Sequence, residues 1–275
     1  MAPGDLAEPL READWLAALR RAGAAVRTTV AGYATAAERG RTTGRGEGGD
    51  MAYVIDRAAE DVVFEELERL GVPLTAVSEE RGRVALGGGG ATHVVIDPID
   101  GSLNAKRGLP SACVSIAVAS GPTMGDVELG YVAELDPPRE WWALRGRGAF
   151  REGVPLERLA PGPLEVIGIE TARPAAVAAA ADAIAALEAR RVRALGSVAV
   201  TLCLVAAGRL DAMASLRPVR SVDAAAAQLL VAEAGGAVAF PDAGPEVGLG
   251  LEMRSRVVAA RDPELLERVT AALAS

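Results

Sequence analysis

The stretch Val94-Val95-Ile96-Asp97-Pro98-Ile99-Asp100-Gly101-Ser102 decides how the chain is read. With His93, the apolar run Val94 to Ile96 predicts a buried strand that ends at Asp97. A carboxylate delivered there is costly unless something cationic neutralises it. Pro98 has no backbone N–H and is expected to stop the strand and force a turn. That turn can bring Asp100 back beside Asp97 and aim the Ile99 carbonyl at the same point. Gly101 and Ser102 then expose backbone N–H groups that can receive an anion. Two carboxylates, a carbonyl and an anion pocket in one turn suit a hard cation acting on a phosphate. Mg2+ takes oxygen ligands and combines few carboxylates with substrate phosphate.

Working outward, Val54 to Leu70 predicts a helix, with Ile55, Ala59, Val62, Val63, Leu67 and Leu70 on one face and Gly71 as its stop. Leu74 to Val77 reads as a strand leading into Ser78-Glu79-Glu80. Adjacent side chains in an extended segment point opposite ways, so at most one of these glutamates reaches a given ion. Further upstream, Leu10, Trp15, Leu16 and Leu19 recur at helical spacing, and Gly40 to Asp50 reads as a mobile Gly- and Arg-rich loop. Downstream, Val114 to Ala119, Glu128 to Leu135 and Trp141 to Arg145 read as successive strands, with Trp141 and Trp142 on opposite faces. From Val166 the pattern alternates strand and helix: strands at 166–169, 192–195, 210–214 and 237–240, helices at 175–190, 198–208 and 224–234. Asp223 opens the last of these helices, where an N-cap and a metal ligand are both open and compatible readings. Asp262-Pro263 caps a final helix. The fold class is therefore α/β, with an α+β first half at residues 1–150 and an α/β second half at 151–275, expected as two domains. The first carries most candidate ligands and the phosphate loop, the second Asp223 and substrate-facing residues.

Composition narrows the chemistry. The chain has 275 residues, half of them hydrophobic, and a formal net charge of −8. That charge argues against a nucleic-acid partner bound by broad phosphate neutralisation. No apolar run is long enough to span a bilayer, so no membrane partner is expected. The first residues lack a basic n-region and an apolar h-region and do not read as a signal peptide. The single histidine, His93, excludes paired-histidine zinc and phosphatase sites and reads as a strand-edge residue. The two cysteines, Cys113 and Cys203, lie in apolar stretches and read as reduced core, which points to the cytoplasm.

The segments VSEERG (77–82), VVIDPIDGSLN (94–104) and SVDAAAAQLLVAEAGG (221–236) together resemble the inositol monophosphatase superfamily of Mg2+-dependent, lithium-sensitive sugar phosphatases. The likeness runs from about Gly49 to the last helix and takes in GRGAF (146–150) and Gly196-Ser197-Val198. Asn104 to Gly108 is closer to archaeal-type members acting on inositol-1-phosphate and fructose-1,6-bisphosphate. The resemblance implies a layered αβαβα sandwich, a homodimer and two to three Mg2+ ions. It implies that Glu79, Asp97 and the Ile99 carbonyl hold one ion, that Asp97, Asp100 and Asp223 hold a second, and that Glu79 helps hold a third. Asp56 and Ser102 are implied to orient or deprotonate the attacking water, with Gly101 and Ser102 N–H groups as the phosphate cradle. Ser197 joins them as a substrate contact. Arg107, Arg217 and Arg220 are expected to attract the phosphorylated sugar or polyol, although Arg107 and Lys106 read equally well as solvated loop charges. The implied reaction is hydrolysis of a phosphate monoester, first inositol-1-phosphate, alternatively fructose-1,6-bisphosphate, histidinol phosphate or 3′-phosphoadenosine 5′-phosphate.

Two rivals remain at this point. Cys203 to Arg209 has the C-x5-R spacing of cysteine-dependent phosphatases, but the intervening residues continue an apolar helix and suit a buried cysteine. A sugar-phosphate-binding scaffold without turnover is the non-enzyme alternative. The complete set of acidic residues favours the enzyme.

Overall fold

Strand alternation explains the architecture. In the computed structural model, which describes residues 15–49, 51–157, 159–244 and 246–274, the decisive stretch lies in strand β5 (His93–Asp100). Val94 and Ile96 join one apolar cluster and Val95 joins another, so the two faces of the strand serve different layers. The outer cluster belongs to helices α1 (Trp15–Ala31) and α3 (Val54–Arg69), which pack together through Trp15, Leu19, Val26, Ile55, Phe64 and Leu67. Truncating Phe64, 2% exposed, to alanine should cost about 3–5 kcal/mol. Between these helices lie a short helix α2 (Ala36–Arg39) and an antiparallel pair, β1 (Thr42–Arg45) and β2 (Met51–Tyr53). The segment expected as a mobile loop is therefore largely a hairpin: Thr42 and Thr43 favour extended backbone, and the glycines serve the turn. Asp50 and Leu10 lie outside the described residues.

Among the described residues the main sheet has eight strands. Its remaining members are β3 (Leu74–Ser78), β4 (Gly82–Leu86), β6 (Cys113–Ala119), β7 (Val127–Glu134), β8 (Arg139–Leu144), β9 (Gly148–Arg151) and β10 (Val154–Pro155), in the order β10-β9-β8-β7-β6-β5-β3-β4. Only the β3–β5 pairing is parallel. The strand does not stop at Asp97. Asp97 pairs with Ser115 and Asp100 with Cys113, so one extra residue is accommodated in a bulge containing Pro98. A bulge tolerates the missing N–H of proline and kinks the strand without ending it. The turn comes at Gly101, whose φ of +88° and close approach to the Ser111 carbonyl, 2.7 Å from an added Cβ, both exclude a side chain. It opens the short helix α4 (Ser102–Arg107).

The inner face of this sheet meets α7 (Val198–Ala206) and α8 (Ser221–Glu233). Both helices are apolar nearly all round, as a helix buried between two sheets must be. Beyond them lies a five-stranded sheet: β11 (Val166–Glu170), β12 (Arg191–Arg193), β13 (Ala212–Ser215), β14 (Ala237–Ala239) and β15 (Val258–Ala260), ordered β12-β11-β13-β15-β14. The sheet is mixed: β11, β12 and β13 run parallel, while β15 is antiparallel to β13 and β14. Its outer face carries α9 (Pro263–Ala274), packed through Leu265 and Val269 and capped by Asp262, whose Oδ1 accepts the Leu265 N–H at 2.8 Å. The helix expected over 175–190 is two short pieces, α5 (Pro174–Ala179) and α6 (Ala181–Ala186), breaking at Ala180, where the backbone leaves helical geometry. The layers are thus α, β, α, β, α. Among the described residues no helix is long and apolar enough to cross a membrane.

Candidate active site

Alternation also sorts the acidic residues. On β3, Val77 faces the middle layer, so Ser78 faces outward and bonds Glu60 of α3. Glu79 turns back toward the middle layer and pairs with Arg220. Glu80 faces outward again, where Asp56 and Glu60 of α3 act on it. Asp97 shares the inner face with Val95, and α8 presents Asp223 there. Glu79, Asp97, Asp100 and Asp223 are all buried; Glu79, Asp100 and Asp223 push on Asp97, and Asp223 also pushes on Glu79 and Asp100.

Asp223 is not the N-cap of its helix. The helix begins at Ser221, and Asp223 lies in its first turn, where its Oδ2 accepts the Arg220 backbone N–H at 2.7 Å. Asp56 holds the same place at the start of α3 and accepts the Tyr53 N–H at 2.7 Å. A carboxylate there satisfies an otherwise orphaned donor and meets the positive end of the helix dipole. Its second oxygen remains for other work: Asp56 Oδ1 is buried without a hydrogen-bond partner, as is Glu80 Oε2.

The electrostatics show an unmet demand for positive charge. Burial pushes the Asp97 carboxyl well above the usual range, with Glu79, Asp100 and Asp223 adding to it and Arg220 pulling back. Burial and then Asp223 raise Asp100 to about 7, although it accepts the Ser197 hydroxyl at 2.6 Å and the Ala199 N–H at 2.7 Å. Burial lifts Asp56 to about 7, against the Tyr53 N–H and with Glu79 pushing further. Glu80 rises to about 8 through burial and then Glu79, Asp56 and Glu60. Burial would pull the Arg220 guanidinium down, but Asp223, Glu79 and Asp97 outweigh it and hold it protonated. The donors are carboxylate oxygens, which suit a hard divalent cation. Among the described residues no three of these groups are already closed into a coordination cluster. Arg220 stands between Glu79 and Asp223 and bonds both.

A cleft of about 750 Å3 opens beside Asp100 and Asp223, walled by the ends of β5 and β11 and the segments entering α7 and α8. Gly101, Ser102, Arg217 and Arg220 border it. Gly101 caps α4, so the first N–H groups of that helix have no partner within it. The Ser102 hydroxyl donates to the Ile99 carbonyl at 2.8 Å and lies close enough to Asp56 to pull its carboxyl down slightly. Ser197 and Arg107 are placed differently from expectation. Ser197 is 1% exposed and does not line the cleft; its hydroxyl caps α7 and supports Asp100 from behind. Arg107 ends α4 in solvent, away from the cleft lining. Lys106 lies over the Tyr53 ring at 4.6 Å, a cation–π contact.

Several residues escaped the sequence reading. Arg173 and Arg254 border the cleft with Arg217. Glu170, at the end of β11, accepts the Leu195 and Gly196 N–H groups at 2.9 Å each and thereby shapes the loop before Ser197. A carboxylate after the apolar run Val166 to Ile169 was the available signal, the same one that exposed Asp97. The rival chemistry fails on geometry: Cys203 is buried in α7, and burial pushes its thiol up rather than down. His93 is a strand residue whose Nδ1 faces the Ala91 carbonyl at 2.8 Å, so that nitrogen carries the proton.

A profile of the inositol monophosphatase family matches residues 7–275. The chain belongs to that family. It is 35% identical over 235 residues to the fructose-1,6-bisphosphatase/inositol-1-monophosphatase of Methanothermobacter thermautotrophicus, covering 82% of this chain and 84% of that one. It is 32% identical over 257 residues to the inositol-1-monophosphatase of Aeropyrum pernix, covering 91% and 95%. A solved inositol monophosphatase–fructose-1,6-bisphosphatase shares the fold with a TM-score of 0.81 at 24% identity, covering 94% of this chain and 99% of that one. Family membership makes this protein a phosphatase, a phosphoric monoester hydrolase. It implies a divalent metal, generally Mg2+, and a small phosphorylated substrate.

Proposed function

We propose that this inositol monophosphatase family member is a Mg2+-dependent hydrolase of a sugar or polyol phosphate monoester, with inositol-1-phosphate as its first substrate. The observation that carries the reading is the group of four buried carboxylates answered by one guanidinium. Glu79, Asp97, Asp100, Asp223 and the Ile99 carbonyl would hold the metal. When bound, divalent ions neutralise charge on the phosphoryl oxygens and lower the pKa of water. Asp56 offers a buried, unpartnered oxygen on a carboxyl raised to about 7, suited to accept a proton from the attacking water. Ser102, close to Asp56, would orient that water, and the N–H groups at the start of α4 would receive the phosphate. The reaction needs little more, since phosphoryl transfer depends on positioning and charge neutralisation.

One observation favours a second substrate. Arg173, Arg217 and Arg254 border the cleft, and such a basic rim suits a second anionic group, as on fructose-1,6-bisphosphate. Phosphate release from both compounds, with and without Mg2+, tests the proposal. Mg2+-dependent release from inositol-1-phosphate supports the first reading. Release from the bisphosphate that falls selectively in Arg217→Ala supports the second. Absence of release from either, with Mg2+ bound, overturns both.

A further inference from the structure

Arg220 stands inside the acidic group, its side chain 13% exposed. Nη1 donates to Glu79 Oε1 and Nη2 to Asp223 Oδ1 at 3.0 Å. Gly48 lies directly against it: a Cβ there would come within 2.7 Å of Nη1 and 3.2 Å of Glu79 Cγ, so a side chain at this position would push the guanidinium from its seat. Gly48 is itself pinned. Its N–H donates to the Glu79 carbonyl at 2.8 Å, and its carbonyl accepts from Arg254 Nη2 at 3.1 Å. The β1–β2 hairpin turn, α8 and Arg254 thus combine to seat the guanidinium on Glu79 and Asp223.

The oxygens it takes are informative. Asp223 Oδ2 is held chiefly by the Arg220 backbone N–H at 2.7 Å, which need not move, and meets the guanidinium Nε only at 3.5 Å. Asp223 Oδ1 and Glu79 Oε1 accept from the guanidinium itself, and they belong to two of the carboxylates assigned above to the metal. A guanidinium and a divalent cation on the same oxygens repel strongly in a partly desolvated site. The guanidinium has somewhere to go, because Arg220 also borders the cleft.

We propose that Arg220 is a built-in counter-cation that holds Glu79 and Asp223 until a divalent ion binds, and is then exchanged outward into the cleft to meet the substrate's anionic group. The inference rests on the metal roles proposed above. It makes binding ordered, with metal loading completing the anion site.

Calorimetric titration of Mg2+ into the wild type and Arg220→Met tests it, with inorganic phosphate as the anion probe. Arg220→Met should bind Mg2+ at least about fivefold tighter. Its Mg2+-saturated form should bind phosphate more weakly than the wild type. Arg220→Lys should restore the wild-type Mg2+ affinity in part. Unchanged or weaker Mg2+ affinity in a folded Arg220→Met overturns the proposal. If that variant unfolds without metal, the melting temperature against Mg2+ concentration replaces the titration: a larger Mg2+-dependent rise than in the wild type supports it, and an equal or smaller rise overturns it. A wild type that binds no Mg2+ is a different failure, because it strikes the metal roles first.

Discussion

Asp97 and Asp100 at the end of β5 and Glu170 at the end of β11 are carboxylates in matching positions, two on one central sheet and one on the other, and the cleft opens beside Asp100 and Glu170. All three are buried, and burial raises all three pKa values. Their surroundings differ. Glu170 is met by two backbone N–H groups and lies 2.7 Å from the Thr201 hydroxyl, so each of its oxygens has a donor. Asp97 accepts the Ile99 N–H at 3.0 Å and otherwise faces Glu79, Asp100 and Asp223. Burial alone therefore does not mark chemistry. A buried carboxylate with its donors supplied is architecture, and one surrounded by others of its kind is a site waiting for a cation.

The contrast is sharpest for Asp97→Asn. Phosphate release should fall by at least about a thousandfold, the scale of losing a group that acts on the transition state. The metal-free variant should melt no lower than the wild type, because one of several repelling charges has gone. A melting temperature several degrees lower would put Asp97 in the same class as Glu170 and break the distinction. The next effect is pH dependence. Burial lifts Asp56 and Asp100 to about 7, from an ordinary value of 3.8. The folded state then holds those protons more tightly than the unfolded one. The associated stability is fully present below the unfolded value and is lost as pH rises through 7. Between about pH 4.5 and 8 the metal-free protein should lose on the order of 3 kcal/mol for each group, and saturating Mg2+ should flatten the curve. A metal-free protein that gains stability over that range would contradict the unmet-charge account. Glu170→Ala should cost about 2–3 kcal/mol of stability by orphaning its donors, while Mg2+ affinity stays within about twofold. A collapse of Mg2+ affinity in a folded Glu170→Ala would move Glu170 into the metal site.

The same contrast governs what the sequence could reveal. VVIDPID was legible because an apolar strand ending in a carboxylate is expensive, and the Glu79–Glu80 ambiguity resolves by strand alternation once Val77 is seen to face the middle layer. The βα alternation of the second half was legible, as was the cap at Asp262. Pro98 misled because proline ends a strand far more often than it sits in a bulge, and only the register against Ser115 and Cys113 distinguishes them. The Gly-Arg segment misled because glycines that let a backbone approach Glu79 look locally like glycines that confer mobility. Asp223 lay two residues inside its helix: Ser221 and Asp223 are both good cap residues, yet the helix takes Arg220 as its cap and begins at Ser221. Arg220 was legible as a basic residue near the site, but its seat among the carboxylates depends on contacts 141 residues apart in sequence.

Ser197 lies between the two carboxylate regions and offers the smallest test. The sequence reading placed it on the substrate, whereas its hydroxyl proton goes to Asp100 and its oxygen caps α7 through the Val200 N–H at 3.2 Å. Its carbonyl lies 2.7 Å from the Thr201 hydroxyl, which is equally close to Glu170. One serine thus joins Glu170 to Asp100. Losing a helix cap and one charged hydrogen bond should cost about 1–2 kcal/mol of stability in Ser197→Ala. Asp100 keeps the Ala199 N–H, so kcat should fall less than about tenfold, with KM nearly unchanged. A substrate contact would behave in the opposite way, raising KM and leaving the melting temperature alone. The KM-to-kcat split in this one variant therefore decides whether Ser197 positions Asp100 or touches the substrate.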